Sequence, residues 1–290
     1  MNVRQLCSSR RSLAIAAALV GMVSLAIGAH AALNKRALDA AKAIATEQSA
    51  DVTKKATRIA LVIGNGHYPD ANAPLAQPIN DARALTAALR RNGFDVDVVE
   101  DASKDDMRRA VARLKSRVRP DSVVMLFFGG YGVQVGRESY MMPVDAAIWK
   151  EADVRRDGVS VESVLDAMTE QGARAKLVVI DASRRNPYER RFRAYSHGLA
   201  PINAPDNALI LSSATPGQVA DDSKGQHSVL MTELLGHINA QPSSAAGAES
   251  LFNKTRIAIS RASDGAQVPS VSSSLTEDVS FRAPADRAGS

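Results

Sequence analysis

At 290 residues, 45% of them hydrophobic, the chain is long enough for one sizeable core plus extensions. Three of its five net positive charges are Arg4, Arg10 and Arg11, so the remainder carries only +2, too little for the basic footprint of a nucleic-acid binder. The single cysteine, Cys7, excludes an intramolecular disulfide, a Cys-x-x-Cys zinc site and a cysteine nucleophile in the folded body.

Residues 1–32 read as an export segment. Its three arginines precede "LAIAAALVGMVSLAIGAHAA", and "AHA" at 29–31 fits a small-x-small cleavage site. "SRRSLA" at 9–14 adds a twin-arginine character. Left uncut, an apolar stretch of about 20 residues can span a bilayer. Residues 12–32 would then anchor the chain to the inner membrane, with the arginines on the cytoplasmic side. Either state places the body in the periplasm or otherwise outside the cytoplasm, with membrane contact only through this segment. Cys7 lies before the apolar run and is badly placed for lipidation at a cleavage site. Residues 33–56 are Ala-rich and charged without large apolar residues, as in a partly helical linker.

The folded body is expected over 57–282. "RIALVI" is a continuous apolar run stopped by Gly64, the pattern of a strand buried on both faces. "PINDARALTAALRRNGF" places Ile79, Ala82, Leu85, Ala88 and Leu89 at helical spacing, with Gly93 as the stop. "DVDVVED" is the second strand. Ser103 is the expected N-cap of a helix with Asp105 and Asp106 in its first turn. "SVVMLFF" is the third strand, and "VQVGRESYMMP" a hairpin turning at Gly136. "SVESVLDAMTEQ" is a helix capped by Ser160. "KLVVID" and "ALILSSA" are strands, "SVLMTELLGHI" and "AESLFNKTRIAISRA" helices, and residues 283–290 a disordered tail.

Strand alternating with helix implies an α/β fold, a mostly parallel sheet with helices on both faces. Functional residues of such sheets lie just past the carboxyl ends of strands. Tyr131 follows the third strand and Ser183 the fourth, so both are expected in one crevice.

The motifs "ALVIGNGHY", "PINDARALTAALRRNGFDV", "FFGGYGVQV", "IDASRRNP", "SSATPGQVA" and "QVPSVSSSLTEDV" occur in order between Arg58 and Phe281. Together they resemble the bacterial metacaspase-like (orthocaspase) branch of the caspase-like cysteine peptidases. The resemblance implies a three-layer α/β/α sandwich and an endopeptidase that cleaves after Arg or Lys. It also shows a departure. Tyr131 stands where the family has its histidine, and Ser183 where it has its cysteine.

A cysteine is partly ionised at neutral pH and strongly nucleophilic, whereas a serine hydroxyl needs a base beside it. A phenol, protonated until about pH 10, is a poor base. Losing both members of such a unit costs on the order of 10⁶ in rate. A hydrogen bond between the hydroxyls of Tyr131 and Ser183, or plain packing, is the expected relation. His67, His197 and His227 could each rescue Ser183 only if folding brought one to it.

By the same resemblance Asp81 and Asp181 recognise a basic side chain of a peptide or protein partner. Their other readings are a first-turn helix acid for Asp81 and an acceptor of loop N–H groups for Asp181. Gly130 and Gly132 are candidate oxyanion donors, or positions where only glycine fits. The arginines of "RRNPYERRFRAYSHG" (Arg184, Arg185, Arg190, Arg191, Arg193) read as a solvated loop, an occupant of the acidic pocket or a strip for an anionic partner. No metal or cofactor is implied. Three functions stay open: an inactive pseudopeptidase that binds basic segments, an active endopeptidase using Ser183, and a structural or assembly module.

Overall fold

The structure is a computed structural model that describes residues 57–69, 74–182, 184, 188, 198–220, 225–240 and 247–281. The expected export segment, linker and tail lie outside these residues, as do Ser183, His197, Arg185, Arg190, Arg191 and Arg193. Among the described residues no helix is long and apolar enough to cross a membrane.

The first strand, β1 (Arg58–Gly64), is buried along its whole length. It is central because its residues feed two cores. Ala60 and Val62 point into one hydrophobic cluster, and Ile59, Leu61 and Ile63 into the other. Next come α1 (Gln77–Arg91), β2 (Asp95–Glu100), α2 (Lys104–Arg117) and β3 (Val123–Gly129). β4 (Gly132–Val135) and β5 (Glu138–Met141) form the expected hairpin, and Gly136 at its turn has φ +67°. They are followed by α3 (Glu151–Asp157), β6 (Val159–Ser160), α4 (Val161–Glu170) and β7 (Ala175–Asp181). β8 (Ala208–Ser212), α5 (Val229–Ala240), α6 (Ala248–Ala262) and β9 (Ser270–Ser273) complete the order.

The main sheet runs β2-β1-β3-β7-β8-β9. Every pair is parallel except β8–β9. Apolar residues of α1, α5 and α6 pack on one face, and those of α2 and α4 on the other. This is the α/β/α sandwich expected from the alternation of strand and helix. A second sheet, β4-β5-β6, carries a third cluster that includes Tyr68, Tyr131, Tyr140 and Tyr188.

Ser103 caps α2 in a capping box with Asp106, and the Ser160 hydroxyl caps α4 at Ser163 N. Three elements were not anticipated: α3, β6 and β9. α3 is 7 residues long with only one large apolar side chain, Val154. β9 reads SVSS, and its ladder with β8 supplies the order that its side chains do not.

Candidate active site

β3 and β7 end side by side, in the register Gly129↔Asp181. The strand ends expected to meet do meet. Asp81 comes from α1 and faces inward from the second turn, so it is not the first-turn helix acid considered above. α1 can lie this close because β1 ends in Gly64, where a Cβ would stand 2.5 Å from the Pro78 carbonyl oxygen.

Tyr131 is 7% exposed and belongs to the third cluster. Its ring meets Tyr68 edge-on, with centroids 4.8 Å apart. The Tyr68 hydroxyl accepts from Tyr131 N at 3.0 Å and donates to the Met142 carbonyl at 3.0 Å. Burial pushes the Tyr68 phenol well above its usual range. Sequence reasoning missed Tyr68: nothing in "GNGHY" announces that its hydroxyl ties two distant backbone groups. Because Ser183 lies outside the described residues, the expected relation between the two hydroxyls has no geometry here.

The glycines correct one expectation. Gly130 N donates to the Asp181 carbonyl at 3.2 Å and Gly132 N to the Ala182 carbonyl at 3.1 Å. Their amides are spent on joining the β3 and β7 ends rather than aimed at an oxyanion. The steric reading accounts for both positions. A Cβ on Gly130 would stand 2.5 Å from the Tyr68 hydroxyl, and one on Gly132 would stand 2.9 Å from the Ala182 carbonyl oxygen.

The acidic residues come together, but not as an open pocket. The Asp81 side chain is 1% exposed and that of Asp181 is 3% exposed. Burial pushes the Asp81 carboxyl up to about 6, helped by the charge of Asp181, while bonds from His227 and Ser228 pull the other way. His227 Nδ1 lies 2.7 Å from Asp81 Oδ1, and Ser228 N donates to both carboxylate oxygens at 3.3 and 3.2 Å. Asp181 pairs with Arg184 Nη2 at 3.6 Å. Arg184 Nη1 also donates to the Gly130 carbonyl at 2.9 Å and to the Asp181 carbonyl. Asp181 Oδ2 is buried and accepts no hydrogen bond, so the reading of Asp181 as a collector of loop N–H groups does not hold for this oxygen. Arg184 is buried too, unlike a residue of a solvated loop.

His67 is 71% exposed, with Nδ1 against Asp101 Oδ2, on a carboxylate that also accepts the Gly66 and His67 amides. Among the described residues, His227, which sequence spacing could not place, is the histidine that reaches Asp81.

The sequence matches the model of the caspase domain, peptidase C14, over residues 57–280. The chain belongs to the caspase-domain family. Within it, the chain is 28% identical over 144 residues to the human (Homo sapiens) protein "Mucosa-associated lymphoid tissue lymphoma translocation protein 1". That match covers 49% of this chain and 17% of the human protein. The Mus musculus homolog is 28% identical over 133 residues, 46% of this chain and 16% of that protein. The matched half of this chain therefore corresponds to less than a fifth of each of these relatives.

Proposed function

We propose that this caspase-domain protein is a pseudopeptidase of the bacterial envelope that binds basic peptide or protein segments without cleaving them. The observation that carries this reading is Tyr131. At the position of the family's base stands a buried phenol packed on Tyr68, and a neutral phenol cannot take a proton from a serine at physiological pH. The buried acid pair supports the binding half: two coupled carboxylates under cover call for cations. The test uses fluorogenic peptides with Arg or Lys at the cleavage position and four proteins: native, Tyr131→His, Ser183→Cys and the double variant. Native protein is expected to stay at background. The double variant is expected to gain turnover well beyond either single one, because nucleophile and base act as a unit. A folded but inert double variant would instead favour a structural module.

One observation favours a second reading, an endopeptidase using Ser183. The contact of His227 Nδ1 with a buried carboxylate is the way an imidazole base is oriented. Native turnover abolished by both Ser183→Ala and His227→Ala would establish it.

The envelope location rests on the basic start, the apolar run and "AHA" at 29–31. An alkaline-phosphatase fusion joined after residue 56 is expected to be active, and an inactive fusion overturns export.

A further inference from the structure

After β5 the chain sends one large apolar residue outward. In "PVDAAIWK" at 143–150, Ala146 and Ile148 are buried in the third cluster, whereas Trp149, the only tryptophan of the chain, is 69% exposed. The backbone on both sides of it is fastened. Val144 N donates to the Ala102 carbonyl at 3.0 Å, and Lys104 N, at the start of α2, donates to Asp145 Oδ1 at 2.8 Å. Asp153 Oδ2 accepts from both Trp149 N and Lys150 N at 3.1 Å, and Arg156 holds Asp153 Oδ1 at 2.7 Å. An indole is among the most valuable side chains to bury. Here it stands uncovered on a held backbone, so folding does not use its area, and a ligand would have little backbone to order.

Trp149 lines a cleft of about 350 Å³ together with Pro69, Val144, Asp145, Ala146 and Ala147. The chemistry of that wall selects the occupant. Among its side chains only Asp145 carries a strong acceptor. One Asp145 oxygen is taken by Lys104 N, and among the described residues nothing donates to the other. A backbone N–H pressed against the remaining side chains would go unpaired, which favours a segment with few of them. Proline has none, and its ring offers a flat apolar face. An extended polyproline II segment also keeps its backbone solvated and loses little freedom on docking. The open oxygen of Asp145 calls for positive charge, which an indole face also attracts. The cleft is tied to the start of α2, whose apolar residues pack on the face of the main sheet opposite to α1 and its Asp81.

We propose that the Trp149 cleft is a docking site for an extended, proline-bearing segment of a partner protein, with proline against the indole and a neighbouring Arg or Lys on Asp145. The site is separate from the Asp81–Asp181 pair and does not depend on the reading given to that pair above.

The test reads Trp149 directly, because no other tryptophan contributes to the emission of the full chain. The probe is a capped peptide of prolines around a central pair of arginines. Its controls carry glycine for proline, or glutamate for arginine. The probe is expected to shift the emission saturably to the blue and to bind about tenfold or more tightly than either control. In calorimetry, Trp149→Ala should weaken probe binding about thirtyfold or more, the scale of a tryptophan at the centre of an interface, with the thermal midpoint unchanged. Asp145→Asn, which keeps an acceptor for Lys104 N, should weaken it about threefold or more. Asp81→Asn should leave it unchanged. Absence of a saturable shift, or equal affinity for the glycine control, overturns the proposal. So does binding that survives Trp149→Ala but not Asp81→Asn, which would assign the peptide to the acid pair. Emission that moves to the red on dilution without peptide would show a second copy of the chain in the cleft, and overturns a foreign partner.

Discussion

Just past the end of β3, Tyr131 lies in an apolar cluster, its ring against Tyr68 and its amide on the Tyr68 hydroxyl. Nearby, Asp81 and Asp181 keep charge under cover, and the carboxyl of Asp81 is pushed up to about 6. The first arrangement is what packing alone rewards: a large side chain buried with its backbone amide satisfied. The second is not. Coupled buried acids work against stability, and an apolar pair of similar volume would serve the core better. The comparison separates a place shaped by folding from a place where charge persists against folding, and the second is the better mark of a binding site.

That contrast can be broken by substitution. The largest effect is expected at the aromatic end, where Tyr131→Ala should cost roughly 3–5 kcal/mol in chemical denaturation, the range for emptying a buried aromatic site. A loss under about 1 kcal/mol would show that Tyr131 is not a packing residue. Gly64→Ala should follow at about 1–3 kcal/mol, because the new Cβ meets the Pro78 carbonyl oxygen and Ala82 Cβ, which cannot give way without shifting α1. It should also weaken binding of Arg-bearing peptides by moving Asp81; unchanged peptide affinity would detach α1 placement from the site. Tyr68→Phe removes the hydroxyl between Tyr131 N and the Met142 carbonyl, and should cost roughly 1 kcal/mol or more. Thermal midpoints equal to native would show water in its place.

Asp81→Asn sharpens the other end and should have the smallest effect on stability near neutral pH, since loss of the His227 and Ser228 contacts opposes relief of the buried charge. Its signature is the pH profile. The Asp81 carboxyl is raised in the folded state to about 6 from 3.8, so the folded protein holds a proton that the unfolded chain releases. The stabilisation this gives is fully present below about pH 4 and lost as pH rises through about 6. The stability of native protein relative to Asp81→Asn should therefore fall across that window and flatten above it. A difference that rises with pH would mean that the carboxyl is lowered, not raised. Asp101, Asp106, Asp153 and Asp157 are all held below the usual range and slope the other way, which is why the difference curve is the one to measure.

Much of the fold was legible because its signals are local. The run Arg58–Gly64 is apolar on both faces because both faces are covered, and 3.6-residue spacing marks α1 as plainly as Ser103 marks the start of α2. β9 was not legible, since its strand state depends on pairing with β8 rather than on its own serines. The meeting of the β3 and β7 ends was legible, because parallel strands that neighbour one another in the sheet end together. The amides of Gly130 and Gly132 were misjudged, because a glycine's spacing does not say which carbonyl its N–H will find.

By itself, then, the sequence determined the sandwich and the ends of its strands, since residue identity and periodicity are properties of short stretches. Only the tertiary structure decided who neutralises whom. Asp81 meets His227 across 146 positions of chain, Tyr131 meets the Tyr68 hydroxyl across 63, and Arg184 turns back onto Asp181 and Gly130. Those partnerships come from folding. Desolvation obliges each buried polar group to find a partner in space, and that partner's place in the chain leaves no local pattern to read.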